Sequence, residues 1–582
     1  TYVSTSDLVA NKPVLSLASM KHSDNISTKY HVMAGIMLWL VPVLLLVPNV
    51  ALDITEQYTV LEKAVNILLP TGIYLILFSL SRRIGATILW FIPIMILCAF
   101  QIVLLFLYGE SIIAIDMFLN VVTTNVHEAT ELLRNLTIAI FIVCLLYLPV
   151  IIIGIILCIK RTHTDTKSRH VALYTGIALA IAGVVCALCS DNYKPTRRLF
   201  PVNVISNMFS ALGRTCQADD YFDTSADFKF GATCQDADSA AIFVLVIGET
   251  SRADNWQLNG YDRPTNPRLS QRSGLISFTR TLSESNTTHK SVPLLMSHLD
   301  SRQFGDSIYL CKGIIDAFEE AGYTTAWLSN QKRNGALIDF FGEQADTIHF
   351  ITDDGRLHYD DELRQYLKDF INNNSNRRIF AVLHTYGCHF NYKERYPETY
   401  NYFRPDNSAE AKASNRPGLV NAYDNAIRYT DTVLDNIIDV LATSGRPATM
   451  VYLADHGEDI FDDERGRFLH ASPTPTYWQL HVPMIIWFSD IYRGINADRY
   501  ARLLNNSGKD VSSSRSAFHT LISLAGIDTP YYRPDADLSS PSYLEPYRVF
   551  LNDYNEAVPL TESGLRDPDY KEFASHRIRY SL

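Results

Sequence analysis

ATMVYLADHGE, residues 448–458, is an apolar run that stops at Asp455, His456, Gly457 and Glu458. A run of this kind is what a strand buried on both faces of a sheet requires, and in open α/β sheets catalytic groups gather just beyond the carboxyl ends of such strands. AIFVLVIGETSR at 241–252 repeats the shape and ends in Glu249 and Thr250. Asp-His-Gly after a strand also fits a plain turn or cap, so the question is whether ligand-type residues recur after other strands. They do: RIFAVLH at 378–384 runs into HTYGCH, with His384 and His389, and FLHASPTPT at 468–476 supplies His470.

Around these runs the chain alternates strands with helices. TTAWLS at 324–329 and VPMIIWF at 482–488 read as further strands, and 306–322, 420–444 and 514–525 as helices. That alternation implies a doubly wound, largely parallel sheet covered on both faces. Carboxylates and imidazoles converging from several strand ends suit zinc or a similar divalent ion, and no HExxH or CxxC pattern competes. Singly, each histidine also fits a solvent-facing loop.

The first third of the chain is of another kind. Five apolar stretches, 31–50, 64–80, 85–108, 136–158 and 171–190, are nearly free of charge. Most are about 20 residues long, enough to cross roughly 30 Å of hydrocarbon as helices. Lys12, Lys21, Lys29, Arg82, Arg83, Lys160, Arg161, Lys167 and Arg169 fall in the first segment and in alternate loops, which assigns these to the cytoplasm. Five crossings then leave everything after about 191 outside. Residues 1–30 lack the apolar core of a signal peptide, so the first span is expected to act as an uncleaved one. The expected organisation is a cytoplasmic segment 1–30, a five-span membrane domain 31–190, a linker 191–238 and an outer catalytic domain 239–582.

Three further features bear on function. The outer loop 109–135 reads as an amphipathic helix pair in which Asn120, Thr124 and Glu128 recur every four residues as a polar stripe, a spacing that equally fits a solvated helix face. Cys216 and Cys234 flank an Asp-rich loop in an oxidising compartment and are candidates for a disulfide. A net charge of −11 and the lack of a basic arm exclude a nucleic-acid partner. For a nucleophile, SESNTTHKSVPLLMS at 283–297 runs hydroxyl residues into a helix start, where free N–H groups and the helix dipole favour phosphate oxygens. Metal coordination would make such a hydroxyl reactive at neutral pH. Thr287, Thr288 and Ser291 are equal candidates here, and each also fits an N-cap.

The stretches VIGETSRADNWQLNGYDRPTNP (246–267), SNTTHKSVPLLMS, GCHFNYKERYP (387–397), NAYDNAIRYTD (421–431), LADHGED (453–459), FLHASPT and HVPMIIWFS (481–489) resemble the phosphoethanolamine transferases that modify lipid A and lipopolysaccharide core. These form a membrane branch of the alkaline phosphatase and sulfatase superfamily that includes the mobile colistin-resistance enzymes. The resemblance implies an inner-membrane, multi-pass enzyme with a sulfatase-like periplasmic domain. It implies that Glu249, Thr288, Asp455 and His456 hold a catalytic zinc, with Thr288, five residues before Pro293, as nucleophile. It further implies that His389 and His470 bind substrate phosphate or a second zinc with Glu458 close by, and that Asn120, Thr124 and Glu128 receive the ethanolamine head group. One zinc, or two, phosphatidylethanolamine as donor, a glycolipid as acceptor and a monomeric state complete the expectation, and the modified surface would bind polymyxin-like polycations more weakly.

The pattern is not followed everywhere. Glu284 and Leu294 stand where the lipid A enzymes have cysteines about the nucleophile, and in WLSNQKRNG (327–335) Gly335 occupies the position of a family lysine, with Lys332 three residues earlier. Two neighbouring readings share parts of the layout: a lipoteichoic-acid-synthase-like enzyme transferring glycerol phosphate, and a non-catalytic zinc-binding membrane sensor. A simple sulfatase fits less well, because the nucleophile segment lacks a CxPxR-type Cys or Ser.

Overall fold

The computed structural model describes residues 16–56, 58–108, 113–123, 136–191, 193–234, 240–408 and 411–581. It divides into one unit of residues 1–106 and 136–206 and a second of 107–135 and 207–582.

Helices make up the first unit: Ser16–Leu44, Val47–Thr55, Val60–Leu80, Ile84–Trp90, Ile92–Tyr108, Thr137–Ile159 and Thr166–Cys189. Among the described residues, four helical stretches, Thr28–Thr55, Val60–Leu80, Ile138–Ile159 and Thr166–Leu188, are long and apolar enough to cross a bilayer. The stretch 85–108, read above as a single span, is instead a pair bent by 51° between Trp90 and Ile92. Pro93 explains the break, since its ring removes a backbone donor and crowds the carbonyl one turn earlier. Counting that pair once gives five crossings. Outward-facing positions stay apolar, as at Leu145 (64% exposed) and Leu188 (81%), which water would penalise and lipid does not.

At the centre of the second unit lies a seven-stranded sheet. Its strands are β1 (Ile242–Gly248), β2 (Leu275–Ser277), β3 (Thr324–Ser329), β4 (Thr347–Phe350), β5 (Ile379–His384), β6 (Ala448–Ala454) and β7 (Met484–Phe488), in the order β2-β7-β6-β1-β5-β3-β4. The unbroken apolar runs have a direct cause. Along β1, Phe243, Leu245 and Ile247 enter one core, shared with Val292, Leu294, Phe318 and Phe518. Ile242, Val244 and Val246 enter the other, shared with Leu367, Phe370, Ile427 and Leu434. Helices Thr288–Met296, Ile314–Glu320 and Ser513–Leu524 contribute to the first core; Leu363–Asn373 and Arg416–Thr443 contribute to the second.

The sheet is largely parallel, as the sequence implies: β6, β1, β5, β3 and β4 run parallel, and β7 runs antiparallel to both β6 and β2. Finer expectations are corrected. The helix read at 306–322 is a 3-10 turn, Gly305–Tyr309, followed by Ile314–Glu320. The linker is largely helical, with Val202–Asp219 its longest element. Cys216 and Cys234 are both free: Cys216 is exposed on that helix, whereas the Cys234 strand pairs with Ile527–Asp528 and aims its thiol at the Ala525 carbonyl, 3.7 Å away. Of the outer loop, helix Ile115–Thr123 carries Asn120, while Thr124 and Glu128 lie outside the described residues.

Candidate active site

Strand register brings the ligand-type residues together. β1 pairs in parallel with β5 and β6, with Ile247 opposite both His384 and Leu453 and Gly248 opposite Ala454, so the three strands end at one level. Glu249, the segment 385–389 and Asp455 to Glu458 therefore leave the sheet side by side. β3 ends level with β5, Ser329 opposite His384, and delivers Gln331 to the same edge.

Thr288 begins the helix Thr288–Met296, with Thr287 at the N-cap. Its Oγ1 lies 3.1 Å from His456 Nε2 and 3.2 and 3.4 Å from the two Glu249 oxygens. Helix phase separates the three hydroxyl candidates: Thr287 pairs with Ser285 Oγ at 3.2 Å and Ser291 donates to the Ser285 carbonyl at 3.3 Å. Only Thr288 among them reaches the carboxylate and imidazole.

Donor chemistry fits a divalent cation. His456 Nδ1 sits 2.9 Å from the Gly457 carbonyl, a contact that assigns the ring proton to Nδ1 and leaves the Nε2 lone pair facing Thr288, Asp455 and Glu249. Asp455 accepts from the Thr250 and His456 backbone N–H groups through Oδ1, at 3.0 and 2.7 Å. Its other oxygen, Oδ2, is buried with no hydrogen-bond donor and lies 3.2 Å from His456 Nε2. An orphaned, fully buried carboxylate oxygen is costly unless a cation takes it. Ligand atoms of Glu249, His456 and His470 all lie within 4.8 Å of one another, which adds His470 to the donors.

Electrostatics carry the same message. Burial and the charge of Glu249 push the Asp455 carboxyl well above its usual range. Burial also opposes ionisation of Glu249, yet His456, His389 and hydrogen bonds from Thr250 and Gln331 outweigh it and hold that carboxyl below its usual value. Two carboxylates driven apart in this way share one small cavity, where a bound cation would balance both charges. Burial, and then the neighbouring imidazoles His456 and His389, depress His470 well below the usual histidine value.

Supporting contacts hold the rim. His470 Nδ1 lies 3.2 Å from Glu458 Oε2, and the Tyr392 hydroxyl donates to Glu458 Oε1. Burial pushes Glu458 well above the usual carboxyl range. The His389 and His470 rings are 6.0 Å apart, and His389 Nδ1 is tied to the Phe390 carbonyl at 2.6 Å. Thr250 (φ 56°), Leu469 (φ 69°) and Ala471 (φ 63°) are held left-handed beside Glu249 and on either side of His470, and such strain persists only where the surroundings over-determine it.

Two contributors escaped the sequence reading. Gln331 Nε2 donates to Glu249 Oε2 at 3.1 Å and to the Thr385 carbonyl at 2.9 Å, fixing the carboxylate's plane. It falls inside WLSNQKRNG, where no local pattern sets it apart from its polar neighbours. Gly387 (φ 55°) packs so tightly on the Glu249 backbone that a Cβ there would lie 2.6 Å from the Glu249 carbonyl oxygen. Gly387→Ala is expected to cost about 2–4 kcal/mol from left-handed strain plus overpacking, read as a lower unfolding midpoint.

A sheet with oxygen and nitrogen donors and a threonine hydroxyl gathered at the carboxyl ends of its parallel strands has the layout of an alkaline-phosphatase-like fold with a candidate metal centre. The Sulfatase family model matches residues 241–527, and the model described as Phosphoethanolamine transferase EptA/EptB matches 71–210. This chain belongs to the membrane-anchored phosphoethanolamine transferase family of the alkaline phosphatase and sulfatase superfamily.

Phosphoethanolamine transferase EptA of Escherichia coli (strain K12) is 33% identical over 306 residues, which cover 51% of this chain and 55% of that protein. The chain thus spans about half the length of this curated relative. The integral membrane lipooligosaccharide phosphoethanolamine transferase A (EptA) of Neisseria meningitidis superposes with a TM-score of 0.69 over 86% of this chain and 98% of its own, at 21% identity. The C-terminal periplasmic domain of EcEptC from Escherichia coli, in complex with Zn, gives 0.51 over 56% and 94%, at 23% identity. Both structures share the fold. The chain is an inner-membrane protein with its C-terminal catalytic domain in the periplasm.

Proposed function

We propose that this chain, acting as a monomer, transfers phosphoethanolamine from phosphatidylethanolamine to a cell-envelope glycolipid, lipid A or lipopolysaccharide core, through a covalent intermediate on Thr288. The observation that carries this reading is the Thr288 hydroxyl held 3.1 Å from His456 Nε2 and 3.2 Å from Glu249, at the first turn of a helix. Residues 1–30 form the cytoplasmic segment, 31–190 the membrane domain, 191–238 the linker and 239–582 the catalytic domain.

Glu249, Thr288, Asp455 and His456 would hold zinc, with His470 close enough to join them or to serve a second ion. When bound, the metal supplies positive charge that offsets the carboxylates, favours the ionised hydroxyl and balances charge developing on phosphoryl oxygens.

In the first half-reaction the Thr288 oxygen attacks phosphorus, a Thr–O–P bond forms, and the bond to the diacylglycerol oxygen breaks. Diacylglycerol leaves after taking a proton from His389 or His470. Glu458 orients the His470 ring for this through Nδ1. In the second half-reaction a phosphate or hydroxyl of the glycolipid attacks the phosphothreonine and gives up its proton to the same histidine, the Thr–O–P bond breaks, and the Thr288 oxygen is returned in the ionised form that began the cycle. Asn120, Thr124 and Glu128 of the outer loop receive the ethanolamine ammonium.

Purified full-length chain in mixed micelles with phosphatidylethanolamine and lipid A tests the reaction. Expected are diacylglycerol and an acceptor heavier by one phosphoethanolamine. Transfer from phosphatidylglycerol instead would favour the glycerol phosphate reading.

A further inference from the structure

The two residues after Thr288, His289 and Lys290, end on one carboxylate. Asp116, 2% exposed in helix Ile115–Thr123, lies 3.1 Å from His289 Nε2 through Oδ1 and accepts from Lys290 Nζ through Oδ2. Lys290 is itself 2% exposed and donates also to the Asn552 carbonyl at 2.8 Å. Arg214 approaches Asp116 Oδ1, the oxygen facing His289, at 3.2 Å, and the Asp553 carboxyl lies beside Asp116. Asn207 Nδ2 adds a tie to the Ile113 carbonyl at 2.8 Å. The outer-loop helix, the helix Val202–Asp219, the nucleophile helix and the turn between strands Val549–Leu551 and Ala557–Pro559, which carries Asn552 and Asp553, thus meet around Asp116.

Such a cluster is a poor source of stability, because desolvating the charges consumes most of what their attraction returns, and well-packed apolar groups often serve as well. What it does provide is direction: each Asp116 oxygen takes different donors, so both the rotation of helix Ile115–Thr123 and the first turn after Thr288 are set. That helix lies in sequence between the apolar helices Ile92–Tyr108 and Thr137–Ile159, so the bilayer tethers it at both ends. We infer that Asp116 is a positioning residue which, through Lys290 and His289, sets Thr288 in register with the membrane-tethered loop, so that a lipid donor meets the nucleophile correctly aimed. This rests on the lipid-donor reading above.

A comparison of two donors tests it, with full-length protein in mixed micelles: phosphatidylethanolamine, and the water-soluble diester bis(p-nitrophenyl) phosphate. In Asp116→Asn, kcat/KM for the lipid is expected to fall about 10- to 100-fold, the cost of misplacing reacting groups by an ångström, with hydrolysis of the soluble diester unchanged. Asp116→Leu combined with Lys290→Met leaves neither member of that pair as a lone buried charge. It is expected to fold and to show the same split, which guards against loss of Asp116→Asn to misfolding. Equal losses on both donors would reduce Asp116 to a structural support of Thr288 and overturn the inference, as would an unchanged rate on the lipid. Wild-type protein that cleaves the soluble diester but leaves phosphatidylethanolamine intact would sink the donor reading, and the inference with it.

Discussion

Thr288→Ala is expected to lower phosphoethanolamine transfer by on the order of 10⁴-fold or more, the usual result of deleting a covalent nucleophile. The fold should survive, because Thr288 hydrogen-bonds through its side chain to groups of the site, Glu249 and His456 among them, and the helix keeps its Thr287 start. Neither neighbour can stand in. Thr287 and Ser291 are buried and committed to Ser285, so no second hydroxyl turns toward His456 without unwinding the helix. Thr288→Ser retains the oxygen and should keep a measurable fraction of the rate. Initial rates of diacylglycerol release from the three proteins give the comparison, and Thr288→Ala at near wild-type rate would exclude Thr288 as nucleophile.

Metal removal has the second largest expected effect. Without a cation the buried Asp455 Oδ2 has no partner and Glu249 opposes its charge, so dialysis against a chelator should abolish transfer and lower the unfolding midpoint. Adding back zinc at about a thousandfold over its dissociation constant should restore activity and stabilise the protein by about 4 kcal/mol. Asp455→Asn separates the two consequences. It keeps the shape but removes the repulsion, so the metal-free variant should be at least as stable as metal-free wild type, yet zinc should raise its midpoint little and its activity should stay low. Differential scanning calorimetry with and without zinc makes the measurement; an unchanged zinc-induced shift in Asp455→Asn would remove Asp455 from the ligands.

What was legible in the residues follows from burial. Strands β1, β5 and β6 lie between two cores, so their runs are continuously apolar and the first polar residues after them, Glu249 and Asp455, mark the strand ends. Strand direction leaves no such trace: β7 is as apolar as its neighbours but antiparallel, and its five residues carry no sign of it. The choice among Thr287, Thr288 and Ser291 depends on helix phase, which a run of hydroxyl residues does not encode. Gln331 and Asp116 act across 82 and 174 residues of chain, on Glu249 and Lys290, and pairings at that range have no local signature. The Cys216 and Cys234 expectation failed for a similar reason, since the partners of their elements, not the compartment, decide where the thiols point.

The covalent step can be caught. Trypsin releases Thr288 in the fragment 281–290, TLSESNTTHK, between Arg280 and Ser291. After incubation of the full-length protein with phosphatidylethanolamine and no acceptor, mass spectrometry should find this fragment carrying one phosphoethanolamine, localised to Thr288, absent from Thr288→Ala and discharged when lipid A is added. An unlabelled fragment in protein that still turns over the donor, or a label on another residue, would contradict the threonine intermediate on which the proposed chemistry rests.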